Sequence, residues 1–161
     1  MVTPHTPYQN STRALTNANG FSETPSERQT TILIIDDNAP IREALTLVLE
    51  YEHFNVLTAT DGCEGLTTAL REKPDLIVVD FSLPRLSGAQ VLAQLRRQAE
   101  FTDVPVVGIT GYDEWAAADI LDAGADRAMI KPLDPDLLID CVNELLGNGK
   151  KENNVVGGRA G

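Results

Sequence analysis

Short apolar runs alternate along this chain with stretches in which apolar residues recur every three or four positions. The runs lie at residues 32–35, 56–59, 76–79, 104–109 and 128–130. The first and third are unbroken and rich in β-branched residues, which predicts strands covered on both faces. The stretches between them read as helices. The first has Asp37 or Asn38 as its cap, Pro40 in its opening turn, and an inward stripe of Ile41, Leu45, Val48 and Leu49. The second runs from about Gly62 to Glu72 and stops near Pro74. The third starts near Ser87 and turns Val91, Leu92 and Leu95 inward, and the fourth covers about 114–123, ending at Gly124. The last opens with Asp134 as cap and Pro135 just inside, then carries Leu137, Leu138, Cys141, Val142 and Leu145 up to Gly147. Five βα units with short links predict an α/β fold: a doubly wound (βα)5 domain with a parallel sheet and helices on both faces.

Composition bounds this unit. Residues 1–30 are rich in Thr, Ser, Asn, Gln and Pro, carry no helical or strand period, and read as a flexible polar tail. Residues 148–161 are rich in Gly and Asn and read the same way, so the domain is expected at 31–147. The first segment is neutral and the last carries +2, so the 31–147 domain carries −13 of a chain whose net charge is −11. That acidity argues against a nucleic-acid partner, which requires a basic face. No apolar run approaches the roughly 18 residues of a membrane helix, and no secretory signal opens the chain, so no membrane partner and a cytoplasmic location are expected. Cys63 and Cys141 are far apart and beside no His, and both read as small buried apolar residues. His53 is expected to be exposed at the end of the first helix, and Asp119, Asp122 and Asp126 to form a solvated acidic face.

The chemistry stands at the ends of the apolar runs. The first ends in Asp36-Asp37, the third in Asp80, the fourth in Thr110 and the fifth in Lys131-Pro132. In a parallel sheet all carboxyl ends lie along one edge, and ligands bind there, where the strand order reverses. The second run ends in Thr58-Ala59-Thr60, bland residues that suit an outer strand. Three carboxylates in one crevice repel one another, so they hold protons or bind a cation. Oxygen ligands without His or Cys suit a hard divalent ion, Mg²⁺ above all. Lys131 adds a second cation, Thr110 a donor, and the small Gly111 room for a ligand. A carboxylate nucleophile in such company can form an aspartyl-phosphate.

Asp36-Asp37, Asp80 followed by Pro84 and Gly88, Thr110-Gly111, Gly124-Ala125-Asp126 and Lys131-Pro132 together resemble the receiver domain of two-component response regulators, over roughly residues 31–147. The resemblance, to a chemotaxis-regulator-like single domain, implies a flavodoxin-like five-stranded sheet in the order 2-1-3-4-5. It implies that Asp80 is the phosphoacceptor, charged from the phosphohistidine of a sensor histidine kinase or histidine phosphotransfer protein. It implies that Asp37 and Asp80 hold Mg²⁺ with the backbone carbonyl of Ser82, and that Asp36 acts mainly through bound water. It further implies that Lys131 pairs with phosphoryl oxygens, that its bond to Pro132 is cis, and that the Thr110 hydroxyl swings to the phosphoryl group. The family commonly has Tyr or Phe three residues before the lysine; here that residue is Ala128. Tyr112 and Trp115 are the nearest aromatics after Thr110 and are the candidate substitute relay.

A stand-alone phosphorylation switch that acts through a downstream protein target is therefore expected, with no enzymatic activity beyond its own phosphotransfer and dephosphorylation. A docking scaffold indifferent to phosphorylation is the alternative that Ala128 suggests. A small-substrate phosphatase or dehalogenase with Asp80 as nucleophile would usually place a second acid two residues later, where Ser82 stands. Acids crowding the first strand end disfavour a flavin phosphate.

Overall fold

The computed structural model describes residues 28–111, 114–147 and 154–156. Its elements run β1 (Thr31–Ile35), α1 (Ala39–Tyr51), β2 (Asn55–Ala59), α2 (Gly62–Glu72), β3 (Leu76–Asp80), α3 (Gly88–Leu95), a 3₁₀ turn (Ala99–Phe101), β4 (Val106–Thr110), α4 (Glu114–Asp122), β5 (Arg127–Ile130), α5 (Pro135–Gly147) and β6 (Asn154–Val156). All strand pairings are parallel, in the order β2-β1-β3-β4-β5-β6. The five expected strands thus stand in the flavodoxin-like order 2-1-3-4-5, with β2 outermost on one side. β4 begins at Val106 and not at Val104, because Pro105 has no N–H to pair and the Val104 carbonyl is taken by Arg96 Nη1 at 2.8 Å.

Alternation along the strands divides the core in two. Leu33, Ile35, Ile77 and Val79 face one layer, packed with Val91, Leu92 and Leu95 of α3 and Ala117 and Ile120 of α4. Ile32, Ile34, Leu76, Val78, Val107 and Ile109 face the other, against Leu45 and Leu49 of α1 and Leu138, Cys141 and Val142 of α5. Each fully buried Leu or Ile contributes roughly 1.5–3 kcal/mol, which sets the sheet edge firmly. Asn38, one of the two expected caps of α1, accepts from the Ile41 N–H; Asp61 accepts from the Cys63 and Glu64 N–H groups at the start of α2, and Ser87 and Gln90 form a capping box at α3. Gly124 follows α4 at φ 101°, a left-handed turn open to glycine.

Four features depart from expectation. A sixth strand pairs with β5 inside the segment read as a tail, because Asn154-Val155-Val156 supplies a β-branched run to an otherwise open edge. The remainder of that segment, residues 148–153 and 157–161, and residues 1–27 of the other tail lie outside the described residues. Arg28 and Gln29, also assigned to the N-terminal tail, are tied to the domain: Arg28 pairs with Asp75 at 3.5 Å and the Gln29 amide donates to the His53 carbonyl at 2.6 Å. Cys141 is buried, but Cys63 is exposed, since the first turn of α2 turns it outward. Asp119 and Asp122 are exposed, but Asp126 is only 3% exposed. Its Oδ2 accepts from the Val106 N–H at 2.8 Å and pairs with Arg96 Nη2 at 3.2 Å, so it closes the start of β4. Beside it Arg127 is buried too and reaches Glu144 of α5 at 2.9 Å. Among the described residues no helix is long and apolar enough to cross a membrane.

Candidate functional site

β1 and β3 lie side by side in the middle of the sheet, and their carboxyl ends carry Asp36 and Asp80 into its interior edge. Asp36 is 1% exposed and Asp80 3%, whereas Asp37 faces solvent. One carboxylate oxygen from each of the three lies within 4.8 Å of the others. Lys131, one residue past β5, reaches over from the far side: its Nζ donates to Asp80 Oδ2 at 2.7 Å and stands 3.5 Å from Asp36 Oδ2. The Ser82 N–H holds Asp80 Oδ1 at 2.8 Å, and the Asn38 N–H holds Asp36 Oδ1 at the same distance. Arg42 of α1 donates to the Asp36 carbonyl at 2.7 Å and fixes the backbone there.

Charge in this crevice is finely opposed. Burial, assisted by the negative charge of Asp80, holds the Asp36 carboxyl above the ordinary carboxylate value, against the pull of the Asn38 N–H and Lys131. Burial works against the Lys131 ammonium as well, but its hydrogen bond and attraction to Asp80, with Asp36 adding to both, leave its pKa raised. Lys131 is therefore firmly charged.

The loop after Asp80 is shaped by close approaches. A Cβ on Gly88, the first residue of α3, would lie 2.6 Å from the Asp80 carbonyl oxygen, so α3 can start against the site only through a glycine. The opposite wall of the loop rests on α2, where a Cβ on Gly62 would strike the Leu86 carbonyl. Arg85, at φ 67°, is held there by Asp61 at 3.1 Å.

Asp36 Oδ2 is buried and has no hydrogen-bond partner; Lys131, at 3.5 Å, is in ion-pair range but long for a hydrogen bond. A buried carboxylate oxygen left so costs free energy unless a cation meets it. The donors are oxygens throughout. This set fits a hard divalent ion such as Mg²⁺.

The other expected residues fall as follows. Thr110 ends β4, buried, on the strand next to that of Asp80, and its carbonyl accepts from the Lys131 N–H at 2.8 Å. Gly111 is exposed, and a Cβ there would come no nearer than 3.9 Å to Lys131 Cδ, so the protein alone does not demand a glycine. The Lys131–Pro132 bond is cis. Ser82 is exposed and contributes its N–H to Asp80. The substitute relay at Tyr112 and Trp115 lies outside the residues whose side chains are described. Ala128 is fully buried in β5.

Three residues around the site, none of them among its charged groups except Arg42, escaped sequence reasoning. Arg42 looked like an ordinary helix-surface cation. Gly62 showed no signal of its own. Phe81 is half-buried, with its ring against both Gly88 of α3 and Gly108 of β4; its signal was an aromatic directly after the acid.

Comparison with known proteins gives a consistent result. The family described as response regulator receiver domain matches residues 32–143. PhoP of Bacillus subtilis, an alkaline phosphatase synthesis transcriptional regulatory protein, is 43% identical over 105 residues, covering 65% of this chain and 43% of that protein. The response regulator MprA of Mycobacterium leprae is 35% identical over 123 residues, covering 76% and 53%. The chain thus spans about half the length of the curated relatives it matches. Among solved structures, the chemotaxis response regulator CheY4 of Vibrio cholerae superposes with a TM-score of 0.69 at 25% identity, covering 73% of this chain and 99% of that one. A CheY-like receiver domain protein from Methanospirillum hungatei gives 0.69 at 29%, covering 75% and 96%.

Proposed function

This chain belongs to the response regulator receiver domain family, and from that premise we propose that it takes a phosphoryl group onto Asp80 from a phosphohistidine. One observation carries the reading. Asp80 is a nearly buried carboxylate held between a backbone N–H and a lysine ammonium, with two further acids within 4.8 Å. An Asp80 oxygen attacks phosphorus, the O–P bond forms, and the N–P bond breaks with its electron pair returning to the donor imidazole. Water later attacks the same phosphorus, and the O–P bond breaks to give inorganic phosphate and the free carboxylate. Lys131 leaves Asp80 Oδ2 to pair with the phosphoryl oxygens, and the Thr110 hydroxyl donates to another. Asp36, Asp37 and Asp80, with the Ser82 carbonyl, would hold Mg²⁺, which when bound neutralises charge on the phosphoryl oxygens.

The donor, a histidine kinase or phosphotransfer protein, has a place to rest. A cleft of about 510 Å³ opens beside Lys131, walled by Ile41, Ala44 and Val48 of α1 on one side and by Pro132, Leu133 and Pro135 on the other. Its apolar lining suits a protein surface that presents an imidazole to Asp80. Output is to a downstream protein target through α4, β5 and α5, in the cytoplasm. Relatives of which this chain covers about half are named as transcriptional regulators, one of them DNA-binding, so an acidic receiver of this kind is compatible with DNA binding by another part of the same protein.

Incubation with acetyl phosphate and Mg²⁺, read by intact mass, tests this. The chain gains one phosphoryl group and Asp80→Asn gains none; equal behaviour of the two removes the reading. The buried Ala128 favours a second reading, docking indifferent to phosphorylation. Equal affinity for a partner with and without beryllofluoride would select it.

A further inference from the structure

Gly108 of β4 and Ala128 of β5 are register partners, so they share one face of the sheet, the face that α4 covers. Side by side they leave a trough where neighbouring strands carry Val or Ile. Close packing does not leave such a trough empty. Two groups fill it. A Cβ on Gly108 would meet Ile120 Cγ2 of α4 and would lie 2.9 Å from Phe81 Cε2. The same ring sits 2.8 Å, at Cδ2, from where a Cβ on Gly88 would stand, at the first turn of α3. Phe81 is bonded directly to Asp80, and its N–H is anchored on the Ile109 carbonyl at 2.9 Å. A single rigid ring thus touches β4 and the start of α3, closes on the same point as Ile120 of α4, and is attached to the proposed phosphoacceptor.

We propose that Phe81 is a positioning residue that passes the state of Asp80 to α4, in a chain whose fifth strand has no aromatic to do so. The inference rests on the phosphoacceptor reading above. When Asp80 carries a phosphoryl group its Oδ contacts with Ser82 and Lys131 are replaced, the backbone at 80–82 adjusts, and the ring tilts in the trough. Ile120 occupies the rest of that trough and must move with it, because a packed core has discrete arrangements and does not deform smoothly. The small pair Gly108 and Ala128 is what admits the ring and Ile120 to one trough, so that neither moves without the other.

The test uses the full ¹⁵N-labelled chain, with beryllofluoride and Mg²⁺ as the phosphoryl mimic. In the wild type, amide shifts at 80–82 are accompanied by shifts along residues 116–122. Phe81→Leu fills much of the same volume without a plane; it keeps the shifts at 80–82 and loses those of α4 by about threefold or more. Phe81→Tyr keeps the ring and behaves as wild type. Phe81→Met replaces the Leu variant if that does not fold. Labelling by acetyl phosphate stays within about twofold in every variant. Undiminished α4 shifts in Phe81→Leu, a Tyr variant as silent as the Leu variant, or loss of labelling together with the shifts would each overturn the inference. A wild type that labels while α4 stays unshifted overturns this inference alone; one that neither labels nor shifts overturns the phosphoacceptor reading with it.

Discussion

Replacing Asp36 by asparagine removes one of the three carboxylates while keeping its shape and its acceptor for the Asn38 N–H. In the cation-free protein two Coulomb effects oppose each other at this residue: attraction to Lys131 at 3.5 Å and repulsion from Asp80 within 4.8 Å. At an effective dielectric near 20 the attraction is roughly 5 kcal/mol and the repulsion roughly 3–4 kcal/mol, so they offset to within about 1 kcal/mol. What remains is the buried Oδ2 without a hydrogen-bond partner, a cost of roughly 1–3 kcal/mol. Asp36→Asn is therefore expected to be at least as stable as wild type in chelator, by up to roughly 2 kcal/mol. Magnesium should reverse the order of benefit. At ten times its Kd, wild type gains about 1.4 kcal/mol by mass action, and the variant less than half of that. Urea unfolding at neutral pH, with EDTA and with MgCl₂, measures both quantities. A variant less stable than wild type in EDTA, or one with an undiminished magnesium gain, would show that the orphaned oxygen is not what the cation satisfies.

The remaining expectations concern other parts of the molecule. Asp126→Ala leaves the buried Val106 N–H without its acceptor and Arg96 without its carboxylate, though still on the Phe101, Val104 and Gly124 carbonyls, and should cost about 3 kcal/mol; Asp126→Asn keeps an acceptor and should cost less than half as much in the same urea assay. The Cys141 thiol is pushed up to about 11, first by burial, whereas Cys63 is exposed, so a disulfide reagent at pH 8 should consume one thiol in the native protein and two in urea; Cys63→Ser should abolish the native reaction. The Asp61 carboxyl is held below its ordinary value of 3.8, first by the Glu64 N–H, with help from the Cys63 N–H and Arg85. A depressed folded pKa gives stabilisation that is present above 3.8 and lost as pH falls through the lower folded value. Wild type should therefore be more stable than Asp61→Asn at neutral pH, with the difference closing as pH falls below 3.8 in urea melts followed by circular dichroism; a difference that does not change with pH would remove Asp61 as a contributor.

The alternation of apolar runs with helical stripes was legible along the chain, and with it the five βα units and the two-sided cover of β1 and β3. So were the caps at Asn38 and Asp134, because a cap is a contact between residues two or three apart. The crevice itself was legible: strands of a parallel sheet share a direction, so residues that end separate runs must meet at one edge, and Asp36, Asp37, Asp80 and Lys131 do. Through-space packing decided the rest. Asp126 and Asp122 look alike in the chain; only the docking of α4 and β5 offers one of them a buried N–H twenty residues away. Cys63 is outward because α2 lies on the sheet in one rotation and not another, and a sixth strand exists because the β5 edge was open to it. The trough over Gly108 and Ala128, and the ring of Phe81 within it, depend on three strands and two helices at once. Local patterning sets which residues can be strand, helix or cap, since those preferences act over a few residues. Which polar group ends up desolvated, and which small residues make room for a large one, depends on how the layers close, and no short window of sequence contains that.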